Sequence, residues 1–160
     1  MIKNKTAVLL GASLAMGALA SDINQENNAL KLYQIGINLG IGFQLQDDYL
    51  DAFGDPDKFG KKVGGDIAQH KKTYLWLKAH EIANTSQLQR LETAKKDSQE
   101  SSKIQAVLDI YEELGIPDYT LQLVEEYYRQ SISSLDAVNA PQDRKQPLYD
   151  LARQLMDREN

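Results

Sequence analysis

The stretch Asn24–Phe53, NQENNALKLYQIGINLGIGFQLQDDYLDAF, decides how this chain is built. Leu30, Tyr33, Ile37, Ile41 and Leu45 recur at steps of three and four, which marks one apolar face of a long helix. Gly36, Gly40 and Gly42 lie inside that helix. Each glycine costs up to about 1 kcal/mol in a helix interior. Three together predict that another helix or a ligand comes close. Gly54, directly after Phe53, and Asp55-Pro56-Asp57 beyond it predict the stop.

Working outward, Lys3–Ala20 reads as a first helix, apolar nearly all round and therefore buried on most sides. Ser21 and Asp22 are natural caps before the long helix. The run Ala7–Ala20 behind Lys3 and Lys5 also has the makings of a signal-peptide core ending in Ala18-Leu19-Ala20. It is too short to span a bilayer, which takes about 20 apolar residues. Beyond the long helix, Asp55–Gly65 is a loop, and Asp66 is expected to cap a helix carrying Tyr74, Leu75, Leu77 and Ala79. Asn84–Asp97 and Ser101–Leu114 follow as amphipathic helices, the second with Ile104, Val107, Leu108, Tyr111 and Leu114 on one face. Gly115 and Pro117 end it. Asp118–Val138 is next, with Leu121, Val124, Tyr128, Ile132 and Leu135 as its core stripe. Pro141 and Pro147 bracket a polar connection before a last short helix, Leu148–Met156. No stretch alternates as a strand does. The expected fold is all-α, in a single domain over residues 1–160.

Bulk composition narrows function by exclusion. With a formal net charge of −5, the chain has no basic excess for general binding to nucleic acid or an anionic membrane. Any phosphate site must be local. The chain has no cysteine, which removes disulfides, zinc–thiolate sites and thiol nucleophiles and suits a reducing cytoplasm.

Asp47, Asp48 and Asp51 form the sharpest constellation. Asp47 and Asp51 share a helix face one turn apart, where like charges destabilise a bare helix. A hard cation such as Mg²⁺ would compensate, taking carboxylate oxygens while keeping waters and substrate phosphates. The bland reading, a solvated acidic face, is weakened by Phe43, Leu45, Tyr49 and Leu50 around the cluster. A second element follows at Gly60–Thr73, GKKVGGDIAQHKKT. Its glycines let backbone amides approach a phosphate, and its lysines supply point charges. Asp66 is placed to hold a metal-bound water. Acidic helix end and basic glycine loop, in that order, provide metal and counter-charge for a diphosphate. His70 and His80, ten apart, are not expected to share a metal; His70 reads as a surface residue, and Trp76, Tyr127 and Tyr128 as helix packing.

Phe43-Gln44-x-x-Asp47-Asp48-x-x-Asp51 resembles the second aspartate-rich motif of trans-isoprenyl diphosphate synthases, the farnesyl and geranylgeranyl diphosphate synthases and their relatives. Gly60-Lys61-x-x-Gly64-x-Asp66 and Lys71-x-Thr73 resemble the segment after it. Lys5-Thr6-Ala7 resembles the Lys-Thr pair that opens an earlier helix of that fold. The resemblance implies the C-terminal portion of the isoprenoid-synthase helical bundle and a Mg²⁺-dependent prenyltransferase of isoprenoid biosynthesis. It implies that Asp47 binds Mg²⁺, with Asp48 and Asp51 supporting through water or hydrogen bonds. Lys5, Lys61 and Lys71 would contact the diphosphate, with Lys62 competing for the role of Lys61. Thr6 and Gln44 would lie along the allylic carbon, and Asp66 would support. The partners implied are an allylic diphosphate and isopentenyl diphosphate.

The departures are equally plain. The motif Asp-Asp-x-x-Asp occurs once, and the family's first aspartate-rich motif and isopentenyl-diphosphate-binding residues would precede the Lys-Thr pair. The chain is therefore expected to be the C-terminal half of a synthase, inactive alone, and to self-associate or pair with its N-terminal half through the exposed face of the first helix. A non-catalytic, synthase-like helical partner subunit is the rival reading. A terpene cyclase half is disfavoured, because the second metal motif of cyclases is built on Asn, Ser/Thr and Glu.

Overall fold

A computed structural model describes residues 3–21, 26–55 and 63–156, and every element in them is helical. A π-helical turn, Lys3–Ala7, leads into α1 (Val8–Ser21) and α2 (Glu26–Phe53). A one-turn helix α3 (Gly65–Ala68) precedes α4 (Tyr74–Ile82), α5 (Thr85–Lys95) and α6 (Glu100–Glu113). The last two are α7 (Ile116–Asp136) and α8 (Gln142–Met156). Among the described residues no helix is long and apolar enough to cross a membrane.

The chain divides into two compact units, Met1–Leu45 with Leu123–Asn160, and Gln46–Gln122. In the first, α1 lies directly on α2. A Cβ on Gly36 would meet the Gly11 Cα at 2.5 Å, and one on Gly40 would meet the Ala7 Cα at 2.5 Å. The close approach expected at these glycines is thus α1 and the turn before it. Gly42 instead faces the Tyr127 Cβ, at 3.5 Å. Ile35, Leu39, Leu135, Val138 and Ala152 make the core of this unit, with Leu10, Leu14, Tyr128 and Ile132 packed on it.

The second unit is centred on Ala52, Leu75, Ala79, Leu91, Val107, Ile110, Tyr111 and Ile116. Burying each large side chain of this kind contributes roughly 1.5–3 kcal/mol. Asn84 caps α5 reciprocally with Gln87, its Oδ1 accepting from the Gln87 N–H at 3.0 Å while Gln87 Oε1 accepts from the Asn84 N–H at 2.9 Å. Two orphan donors are satisfied at once. Gly115, at φ +67°, ends α6, and Pro117 occupies the second residue of α7, where its missing N–H costs nothing.

Four expectations are corrected. The first helix is not uniform, because its opening turn, Lys3–Ala7, is π-helical. The helix expected from Asp66 is two helices, α3 and α4, and Asp66 lies in the first turn of α3 rather than capping it. Thr73 caps α4, its Oγ1 accepting from the Trp76 N–H at 3.4 Å. Leu30, placed on the apolar face of the long helix, is exposed at 71 %. Finally, α8 begins at Gln142 and carries Pro147 inside it, so the prolines do not bracket a connection.

Candidate active site

Two groups of the predicted residues are brought together, one in each unit. In the first unit the Thr6 hydroxyl donates to Gln44 Oε1 at 3.3 Å, across 38 residues of sequence. The pair is half-buried because Ala7, next to Thr6, is fully buried against Gly40. Lys5 precedes it and is exposed.

In the second unit the last turns of α2 present the carboxylates. Asp48 is 7 % exposed, and its Oδ2 accepts from the Tyr74 N–H at 3.4 Å, at the start of α4. Asp51 is half-buried, and its Oδ2 accepts from the Asp66 N–H at 2.8 Å. The Asp51 backbone carbonyl also accepts from the Gly64 N–H at 2.6 Å. Asp66 Oδ1 in turn accepts from Lys71 Nζ at 2.5 Å. Asp51, Asp66 and Lys71 therefore form a chain of carboxylate, amide, carboxylate and ammonium. Asp47 is half-buried beside them. Lys61, Lys62 and Gly60 lie outside the described residues.

The break after α3 makes that chain. His70 sits at φ +54°, its N–H bonds the Ile67 carbonyl, and the Lys71 N–H reaches back to the Asp66 carbonyl at 2.9 Å. This is a Schellman ending with histidine where glycine is usual. It folds Lys71 back over Asp66. Sequence reading missed it because histidine is a weak signal for a left-handed residue, although it is enriched there over most others. The Tyr74 amide that holds Asp48 left no sequence signal at all.

Burial pushes the Asp51 carboxyl above its ordinary value, and the nearby charges of Asp66 and Asp47 add to this; the Asp66 amide and Lys71 oppose it. The bond to Asp66 raises the Lys71 ammonium above its usual range, so it stays charged. Tyr111 is raised chiefly by burial, with the Asp48 and Asp66 charges behind it, and keeps its proton. Among the described residues no three His, Cys, Asp or Glu side chains are arranged to hold a metal. Carboxylates grouped this closely still fit Mg²⁺, which takes one or two of them and fills its octahedron with water and phosphate.

The Polyprenyl synthetase family model matches residues 1–114. The chain belongs to the polyprenyl synthetase family. It is 35% identical over 144 residues to the geranylgeranyl diphosphate synthase of Sulfolobus acidocaldarius, covering 89% of this chain and 43% of that enzyme. It is 32% identical to human farnesyl pyrophosphate synthase over 142 residues, 88% of this chain and 33% of the relative. Among solved structures, the geranylgeranyl pyrophosphate synthetase of Pyrococcus horikoshii superposes with a TM-score of 0.89 at 29% identity, covering 99% of this chain and 48% of that one. The chain thus spans about half the length of family members it matches, and the all-α fold expected of the family is the fold observed.

Proposed function

We propose that this chain carries the second diphosphate-binding wall of a trans-isoprenyl diphosphate synthase, a prenyltransferase that joins an allylic diphosphate to isopentenyl diphosphate. The observation that carries the reading is the Asp51–Asp66–Lys71 chain. It sets acceptors for a hard cation and a fixed ammonium for phosphate oxygens within a few residues of one another. In this reading Asp47 holds Mg²⁺, with Asp48 and Asp51 in support. The ion, when bound, neutralises charge that develops on the diphosphate.

The residues divide the work by charge. Breaking the allylic carbon–oxygen bond sends its electron pair to the diphosphate and leaves a cation on carbon. Lys71, Lys5 and Lys61 stabilise the departing anion. Thr6 and Gln44 turn oxygen dipoles toward the carbon; the hydroxyl proton engaged on Gln44 leaves the Thr6 lone pairs available. The double bond of isopentenyl diphosphate then supplies the electrons for the new carbon–carbon bond, and transfer of a proton to the departed diphosphate restores an alkene. A cytoplasmic setting, in keeping with the absence of cysteine, belongs to the same reading.

Calorimetric titration with inorganic diphosphate tests the wall without requiring turnover. Saturable binding should need Mg²⁺, should disappear in Asp47→Asn, and should weaken about tenfold in Lys71→Met, the loss of one charge-assisted contact. Equal binding with and without Mg²⁺, or in wild type and Asp47→Asn alike, overturns it. The exposed Leu9, Met16 and Leu19 of α1 support a second part of the proposal, association with another copy or with further synthase sequence. Light scattering showing a monomer that binds no apolar dye counts against that part alone.

A further inference from the structure

The second unit holds a pocket that shares only Lys71 with the proposed roles. It lies between the turn after α3, the end of α5 and the body of α6, and His70, Lys71, Lys95, Lys103, Trp76 and Tyr111 are among the side chains that line it. Its charge is one-sided, with no carboxylate in the lining. Lys71 is neutralised by Asp66. Among the described residues Lys95 and Lys103 make no ion pair. Lys95 instead rests over the Trp76 ring, 5.5 Å from its centroid. Asp97 is near enough to feel Lys103, but its carboxylate is turned to the Gln99 N–H at 2.8 Å. Two uncompensated positive charges thus face one small space in a protein whose net charge is −5.

At the inner end stands Tyr111. It is 2 % exposed, and it lines the pocket together with Lys95 and Lys103. A phenol O–H at the wall of a pocket offers a proton to a ligand or water oxygen. The enclosed part of the pocket is about 20 Å³, room for a single oxygen-sized group. An acceptor oxygen fits there, because the phenol offers a proton and Lys95 and Lys103 line the same space, while the Asp48 and Asp66 charges also reach the phenol.

We propose that this pocket binds one phosphate group, with an oxygen on the Tyr111 hydroxyl and the others between the Lys95 and Lys103 ammonium groups. Two charges opposite a dianion give local neutrality, and lysine serves as a point charge without demanding planar geometry. The site needs none of Asp47, Asp48 or Asp51 and no metal. It therefore stands or falls separately from the prenyltransferase reading. Free inorganic phosphate and the terminal group of a diphosphate share this chemistry.

Trp76 is the chain's single tryptophan and lines the pocket, so its emission reports occupancy. The full chain is titrated in EDTA at constant ionic strength with inorganic phosphate, inorganic diphosphate and, as control, chloride. A saturable change is expected, with half-saturation on the order of 1 mM. Saturation by both anions identifies a free-phosphate site; saturation by diphosphate alone identifies the end of a longer ligand. Lys103→Ala should weaken binding about tenfold, and Tyr111→Phe, which removes only the hydroxyl, roughly threefold or more. Asp47→Asn should bind as wild type does. No saturation with either anion, the same response to chloride, or full affinity in both Lys103→Ala and Tyr111→Phe overturns the proposal. So does loss of the signal in Asp47→Asn, which would assign it to the carboxylates.

Discussion

Thr6 meets Gln44 in one unit, and Asp51 meets Asp66 in the other, by different means. The first pair is positioned by volume. Residues without side chains, or with one methyl, let two helical backbones come into contact, and the polar pair rides on that contact. The second group is positioned by polarity, since carboxylates at the end of α2 accept backbone amides from the segment that follows. A site fixed by packing is vulnerable to an added methyl group and indifferent to pH. One fixed by buried carboxylates is vulnerable to charge, pH and cations.

The contrast is sharpest where one methyl group is added. Gly64 stands at φ +82°, and a Cβ there would lie 2.5 Å from Ile104 Cγ2. Gly64→Ala combines left-handed strain with overpacking and should cost about 2–4 kcal/mol in denaturant unfolding. It would also release the loop amide from the Asp51 carbonyl, so even the polar site has one steric hinge. Gly36→Ala should cost less, about 1–2 kcal/mol, because overpacking against the Gly11 backbone is partly offset by better helix propensity. Gly17→Ala is the control, with nothing within 4 Å of its Cβ, and should stabilise by up to about 1 kcal/mol. Equal effects of Gly36→Ala and Gly17→Ala would remove the packing account of the first unit.

His70 gives the next smaller effect, in the opposite direction. It holds a left-handed position that glycine fills without penalty, so His70→Gly should stabilise by about 1 kcal/mol while keeping the Lys71–Asp66 pair. Measured at high salt, the gain should persist, because it comes from the backbone and not from charge.

The same residues show what the sequence could reveal. Helix period located α2 and its stop at Phe53, since both depend on local spacing and on Gly54. Gly36 and Gly40 announced a close neighbour, because glycine inside a helix has few other reasons to be there. Residue type also singled out Asp51, Asp66 and Lys71, which the fold links by hydrogen bonds. What stayed hidden depends on the chain folding back. Ala68, Gln69 and Lys71 are ordinary helix formers, yet the Schellman turn and the Thr73 cap split the segment. Leu30 keeps the helical period but is exposed, for periodicity identifies a face without saying what covers it. The convergence of Lys95, Lys103 and Tyr111 comes from two helices packing, which no local pattern records.

The smallest effect is the one most specific to the polar group. Burial raises Asp51 above its ordinary value of 3.8, so the folded chain holds that proton more tightly than the unfolded chain does. The stability it contributes is then fully present below the unfolded value and is lost as pH rises through the folded one. At neutral pH the ionised carboxylate therefore works against folding. Asp51→Asn keeps an oxygen for the Asp66 amide and removes the charge. It should raise the melting temperature slightly at pH 7, and the gain should shrink to nothing as pH falls below the unfolded value of 3.8. Mg²⁺ with diphosphate should reverse the order at pH 7, stabilising wild type more than the variant, because a cation meets the charge that burial made costly. A variant less stable than wild type at every pH, with or without Mg²⁺, would show that the carboxylate is held for its hydrogen bond alone and that nothing cationic is needed to settle it.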